Sequence, residues 1–142
     1  MEAAMRQGQV SVIDSPGWEE LGNRVFSGLP QSVGEARRFL TGLCTEVGLD
    51  DELPVLLLSE VATNAVRHAG GRFRVRCFCS PQRRLRVEVE DGSNRTPVRR
   101  GAGVDDESGR GVSLLDLGSC WRTEVNGDGK TVIFVPKEKL WA

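Results

Sequence analysis

Leu56–Gly70 reads LLLSEVATNAVRHAG, an apolar run of helix-forming residues that carries Glu60, Asn64, Arg67 and the chain's one histidine, His68. At about 100° per residue, Leu57, Leu58, Val61, Ala62 and Ala65 cover one side of a helix. Glu60, Asn64 and Arg67 cluster on the opposite side, with His68 at the edge of the apolar stripe. Residues four apart on a helix stack as neighbours, about 6 Å apart at Cβ, so Glu60 and Asn64 form a pair. A solvated polar face is one account of that pair. A second account starts from asparagine, which is a mediocre helix former and needs a reason to stand mid-helix. A carboxylate followed one turn later by a carboxamide offers hard oxygen ligands that suit Mg²⁺. The helix alone leaves both accounts open.

The flanks fix the helix ends. Asp50 or Asp51 can cap the start, Pro54 sits in the first turn where proline is tolerated, and Gly70-Gly71 ends it, so the helix is predicted from about Asp51 to His68. Upstream, QSVGEARRFLTGLCTEVG places Val33, Ala36, Leu40, Leu43 and Val47 at spacings of three and four, a second amphipathic helix. Ser32 and Glu35 fit a capping box, and Gly48 suits the left-handed position past the end. Downstream, RFRVRCFC and RLRVEVED alternate apolar and charged residues around the turn-like SPQR, which predicts an antiparallel hairpin with one buried face. GRGVSLLDLG reads as a short helix opened by glycines. CWRTEV, NGDG and KTVIFVP read as a final hairpin. The order helix, helix, hairpin, loop, helix, hairpin predicts an α+β two-layer sandwich: a mostly antiparallel mixed sheet with helices on one face.

The 142 residues are the size of one domain and bury a real core. Net charge is −1, and no basic stripe points to nucleic acid. No apolar run approaches a membrane span, and MEAAMRQGQVSVIDS lacks the layout of a secretory signal, so a cytoplasmic protein is expected. Cys44, Cys77, Cys79 and Cys120 form no CxxC pair and are read as small buried hydrophobes. Residues 1–25 are polar and weakly periodic, which predicts a loosely ordered arm, with a short strand around Val10–Ile13; the folded domain is expected over 26–142.

Two further stretches carry chemistry. In VEVEDGSNRTP a strand ends on Asp91 and Gly92. That is either a plain strand-ending turn, or an acceptor for a base amino group beside a glycine that lets a flat ring approach. In ESGRGVSLL, Gly109 and Gly111 precede a helix, so they are either a flexible cap or a phosphate cradle of free N–H groups.

SEVATNAVRHAG, VEDGSNRTP, ESGRGVSLL and GKTVIFVP, in this order, resemble the ATP-binding domains of histidine kinases and gyrase. Within that superfamily (the Bergerat fold), the likeness is to the stand-alone anti-sigma-factor serine/threonine kinases of actinobacterial type, which LPQSVGEARRFL and LLLSEVATNAVRHA also resemble. The resemblance covers Phe26 to the C-terminus. It implies ATP and Mg²⁺ as cofactors, with Asn64 coordinating the metal and Glu60 as general base. Asp91 and Gly92 would take the adenine end, Gly109, Arg110 and Gly111 the phosphates, and Thr131 would support the adenine. Physics agrees on Asp91: guanine presents a carbonyl where adenine has its amino group, and two acceptors repel. Arg99 and Arg100 are further candidates beside Arg110 for the γ-phosphate, and Arg95–Ser108 takes the place of the lid.

The implied function is a serine kinase and anti-sigma factor that regulates transcription by switching partners with an anti-anti-sigma protein. The alternative is an ATP-gated binding module without phosphotransfer. Protein partners are implied, a sigma factor or an anti-anti-sigma protein, with a homodimer allowed and neither nucleic acid nor membrane. A sensor-kinase reading needs a histidine on an upstream dimerisation helix, whereas His68 lies inside the site helix.

Overall fold

The computed structural model describes residues 11–92 and 113–138. Among the described residues, five strands form one sheet in the order β1-β2-β3-β5-β4. They are β1 (Glu19–Phe26), β2 (Phe73–Cys79), β3 (Leu85–Asp91), β4 (Ser119–Asn126) and β5 (Gly129–Pro136). All four pairings are antiparallel, so the mixed sheet expected from sequence is a purely antiparallel one among the described strands. The helices are α1 (Gln31–Val47), α2 (Glu52–Asn64) and the short α3 (Leu114–Gly118).

Hydrophobic burial joins the two layers. Ala36, Leu40 and Cys44 from α1 and Leu57, Leu58, Val61 and Ala62 from α2 meet Phe73, Val75, Cys77, Val87, Val89, Val132 and Phe134 from the sheet. The α1 stripe follows the predicted spacing at Ala36 and Leu40, with Val33 and Leu43 partly buried beside them, but Cys44 rather than Val47 completes it; Gly48 takes φ 73° past its end. The start differs. Ser32 does not cap α1 by a box; its hydroxyl is buried, accepts the Leu29 N–H at 3.2 Å and shares a 3.0 Å hydrogen bond with Ser27. α2 begins with Asp50 Oδ1 accepting the Glu52 N–H at 3.2 Å. Cys44 and Cys77 are buried, and burial pushes their thiols up to about 11 and about 12. Cys120 is exposed, against the expectation of four buried cysteines.

The largest departure is at the N-terminus. The expected loose arm holds the edge strand β1 and a 3₁₀ turn at Val12–Asp14, with no strand at Val12 or Ile13. β1 escapes a periodicity search because the register shifts between Glu20 and Gly22, and its mostly polar residues are held by the backbone ladder to β2. The 3₁₀ turn covers the sheet face away from the helices, where Ile13 packs with Ile133, Val135, Val12 and Trp18. Arg86 pins the turn: its guanidinium donates to the Ile13 carbonyl at 3.0 Å and lies over the rings of Trp18 and Phe78. Asp14 and Arg122 close the edge with two hydrogen bonds of 2.9 Å, which hold the Asp14 carboxyl below its ordinary value.

Ile13→Ala is therefore expected to cost about 2–5 kcal/mol, the range for truncating a buried aliphatic side chain. Urea denaturation of the two proteins measures it. A loss below about 0.5 kcal/mol, as for an ordinary surface substitution, would return this segment to the status of a loose arm.

Candidate functional site

α2 is apolar where it meets the sheet and polar where Glu60 and Asn64 stand, and both of these are half-buried. The helix does not run unchanged to His68. After Asn64 it widens into a π segment, Ala65–Ala69, and Gly70 at φ 67° ends it. Single π turns inside helices are rare and cluster at functional sites, because the wider turn frees or re-aims backbone and side-chain groups. Arg67 and His68 on that turn are exposed, whereas the helical pattern sets His68 at the edge of the apolar stripe.

Glu60 is held in an unusual state for a carboxylate. Its Oε1 is buried without a hydrogen-bond partner among the described residues. Burial raises the carboxyl above the ordinary glutamate range; the backbone N–H groups of Leu115 and Leu114 at the start of α3 oppose this, and the charge of Asp116 adds to it. Ser113 caps α3 by accepting the Asp116 N–H at 3.2 Å, which keeps those amides in place. A buried, unmatched acceptor costs about 1–3 kcal/mol, so its persistence asks for a function.

Asp91 ends β3 on the helix-facing side of the sheet, in line with the buried Val87 and Val89. Its side chain is 3% exposed and pairs with Lys130, itself 5% exposed, through a 3.0 Å contact to Oδ2 and a 3.3 Å contact to Oδ1. Lys130 faces Asp91 in the β3–β5 register. Sequence reading places Lys130 in the closing strand but misses this partner, because the register between β3 and β5 is not set by neighbours in sequence. The available signal is alternation: Lys130, Val132 and Phe134 share a face. The same alternation corrects the reading of Thr131. It falls in step with Ile133 and Val135, which pack on the far face of the sheet, so the residue of this strand beside Asp91 is Lys130 and not Thr131. At Gly92, a Cβ would meet nothing within 4 Å, which leaves the approach to the strand end open on that side among the described residues. At Gly129 a Cβ would come within 2.6 Å of the Asp91 carbonyl oxygen, so only glycine lets β5 start this close.

The structure thus brings Glu60 and Asn64 together on α2, and Asp91, Gly92 and Lys130 together at the β3–β5 end of the sheet. Gly109, Arg110, Gly111, Arg99, Arg100 and the span Arg95–Ser108 lie outside the described residues.

Over residues 26–135 the chain matches the histidine kinase-like ATPase domain family. An uncharacterized protein of Streptomyces coelicolor is 38% identical over 80 residues, which cover 53% of this chain and 76% of that protein. Among solved structures, the crystal structure of the RsbU and RsbW domains of Rv1364c from Mycobacterium tuberculosis superposes with a TM-score of 0.58 at 17% identity, over 82% of this chain and 32% of that one. At that identity the likeness is one of fold, and the chain spans about a third of the solved protein. The family match takes in the helix of Glu60 and Asn64, the strand end at Asp91 and the closing hairpin. The chain belongs to the histidine kinase-like ATPase domain family, and ATP binding is the property that membership carries.

Proposed function

We propose that the chain is an ATP- and Mg²⁺-dependent serine kinase that phosphorylates a protein partner and holds a second one, in the manner of an anti-sigma factor that switches to an anti-anti-sigma protein. The observation that carries this reading is the buried Glu60 Oε1, which has no hydrogen-bond partner among the described residues and lies one helical turn before Asn64. A pure binding module has no use for a carboxylate held in that state. A kinase uses it as a base on the attacking hydroxyl.

The donor set fits Mg²⁺: a carboxamide oxygen beside a carboxylate, both hard ligands. Asn64 would hold the ion, which supplies charge neutralisation between phosphates. The remaining roles belong to the chain itself. α2 and the π turn fix Asn64 at the rim, Glu60 accepts a proton from the serine hydroxyl, and Asp91 orients the base of the nucleotide. Phosphoryl transfer depends mostly on such positioning and on charge stabilisation.

The test is co-purification of partners from the native cell, followed by γ-phosphate transfer to them. Transfer to a serine supports the kinase. Nucleotide binding without transfer replaces it with the ATP-gated binding module. Asn64→Ala checks the metal assignment. Alanine is the better helix former, so the helix stays intact while a ligand is lost. Calorimetry should show weaker binding of Mg²⁺-ATP and little change for ATP in EDTA. Unchanged Mg²⁺-ATP affinity in a folded variant makes Asn64 a surface residue.

A further inference from the structure

The polar face that carries Glu60 and Asn64 ends in an irregularity. Asn64 is the last residue of α2, and Ala65–Ala69 after it form the π turn. On a regular helix Arg67, three residues on, would flank Asn64. A π turn closes five residues back instead of four, which re-aims the side chains that follow. Such a turn is rare, so its support is to be sought outside the helix.

The support lies where two connections leave the sheet. Phe26 of β1 pairs with Phe73 of β2, their rings stack at 5.3 Å, and both are buried. Gly28 stands two residues past Phe26, and Gly71 two residues before Phe73. From this anchored pair the two backbones run on in contact. A Cβ on Gly28 would run into the Gly71 carbonyl oxygen and come within 2.6 Å of its carbon. Both atoms are backbone, so no side-chain rotation relieves the clash. Gly28 also holds φ 88°, which favours glycine. Its loop is braced: Ser27 shares a hydrogen bond with the buried Ser32 hydroxyl, which also accepts the Leu29 N–H. On the other side, Gly71 follows Gly70, whose φ of 67° stops the π turn. A side chain at position 28 would therefore displace Gly71, shift that stop and let the turn rewind.

We propose that Gly28 is a positioning residue for the metal site: its bare backbone clamps Gly71 and so holds the π turn next to Asn64. Rewinding would set the Arg67 guanidinium in the regular flanking position, where its charge repels a divalent cation. Mg²⁺ demands near-ideal octahedral geometry, so a small shift of a ligand is costly. The inference deepens the proposed function and rests on its placement of Mg²⁺ at Asn64.

Calorimetry on the full chain, with Mg²⁺-ATP and with ATP in EDTA, tests it on wild type, Gly28→Ala and Gly48→Ala. Gly28→Ala should lose about 10- to 100-fold in affinity for Mg²⁺-ATP, the cost typical of removing support behind a metal ligand. Its affinity for ATP in EDTA should change little. Gly48→Ala is the control. That glycine holds φ 73°, and its Cβ would meet only the Arg83 guanidinium, at an ordinary 3.5 Å. It carries the strain of a left-handed alanine without touching the π turn, so it should keep the wild-type ratio of the two affinities. A wild-type ratio in Gly28→Ala overturns the inference, and so does an equal change in both variants. If Gly28→Ala does not fold, hydrogen exchange on the wild type decides. Mg²⁺-ATP, compared with ATP in EDTA, should slow the amides of Ser27–Leu29 together with those of Val66–Gly71. Slowing in the π turn alone overturns the clamp. Wild-type affinity that does not depend on Mg²⁺ removes the metal from Asn64, and the inference falls with that placement.

Discussion

Asp91→Asn is expected to destabilise the protein by about 3–5 kcal/mol, the usual cost of removing one member of a buried ion pair. The reason is the ion left behind. Lys130 is buried at the start of β5, with Asp91 Oδ1 and Oδ2 as its hydrogen-bond acceptors, and asparagine keeps the shape but removes the charge. The same change removes the acceptor proposed for the purine base, so nucleotide affinity should fall at least about tenfold in any protein that stays folded. Urea denaturation and calorimetry separate the two effects. The double variant Asp91→Asn with Lys130→Met should recover most of the lost stability, because an apolar side chain replaces the orphaned ammonium. Recovery of nucleotide binding is not expected. If Asp91→Asn costs less than about 1 kcal/mol, the pair behaves as an exposed ion pair does, and the buried geometry does not hold in solution.

Glu60→Gln should leave Mg²⁺-ATP binding within a few-fold of wild type and lower phosphotransfer to the partner serine by about 10²–10⁴, the share typical of a positioned general base. Glutamine fills the same space and cannot take the proton. The variant should also change how stability depends on pH, and the sign follows from the raised carboxyl. Between the ordinary glutamate value and the raised one, the native protein holds a proton that the unfolded chain has released. Stability therefore falls as pH rises through that window. Glutamine removes the dependence, so Glu60→Gln should be the more stable protein above the window. Chemical denaturation across pH reads this without any partner. Phosphotransfer at the wild-type rate would acquit Glu60 as base while keeping the kinase. A stability profile that matches wild type would show that Glu60 is solvated.

Much of this architecture is legible in the residues alone. The α1 stripe, the apolar side of α2, both hairpins and the left-handed Gly48 follow from local rules: period, capping and turn chemistry. Candidate chemistry at Glu60, Asn64 and Asp91 is legible for the same reason, since each is a polar residue where local pattern leaves it unexplained. The family match over residues 26–135 agrees with what the motif order implies.

What the tertiary structure decides is everything set by a partner distant in sequence. β1 exists because β2 offers a free ladder; its own side chains, interrupted by the register shift at Glu20–Gly22, show no period. The docking of Ile13 is visible only once Ile133 and Val135 turn to the far face of β5. A hint lay in the unbroken apolar run of KTVIFVP, because a strand apolar on both sides needs cover on both. Alternation alone puts Thr131 on the face opposite Lys130, but that Lys130 stands across from Asp91 is set by the β3–β5 register. The burial of Glu60 depends on α3 arriving from about fifty residues downstream, with the Leu114 and Leu115 amides turned toward it. Local sequence determines which segments are helix and strand because those choices rest on nearest neighbours. Which charge meets which, and which carboxylate is drawn out of water, is settled only when strands and helices far apart in the chain close around the same space.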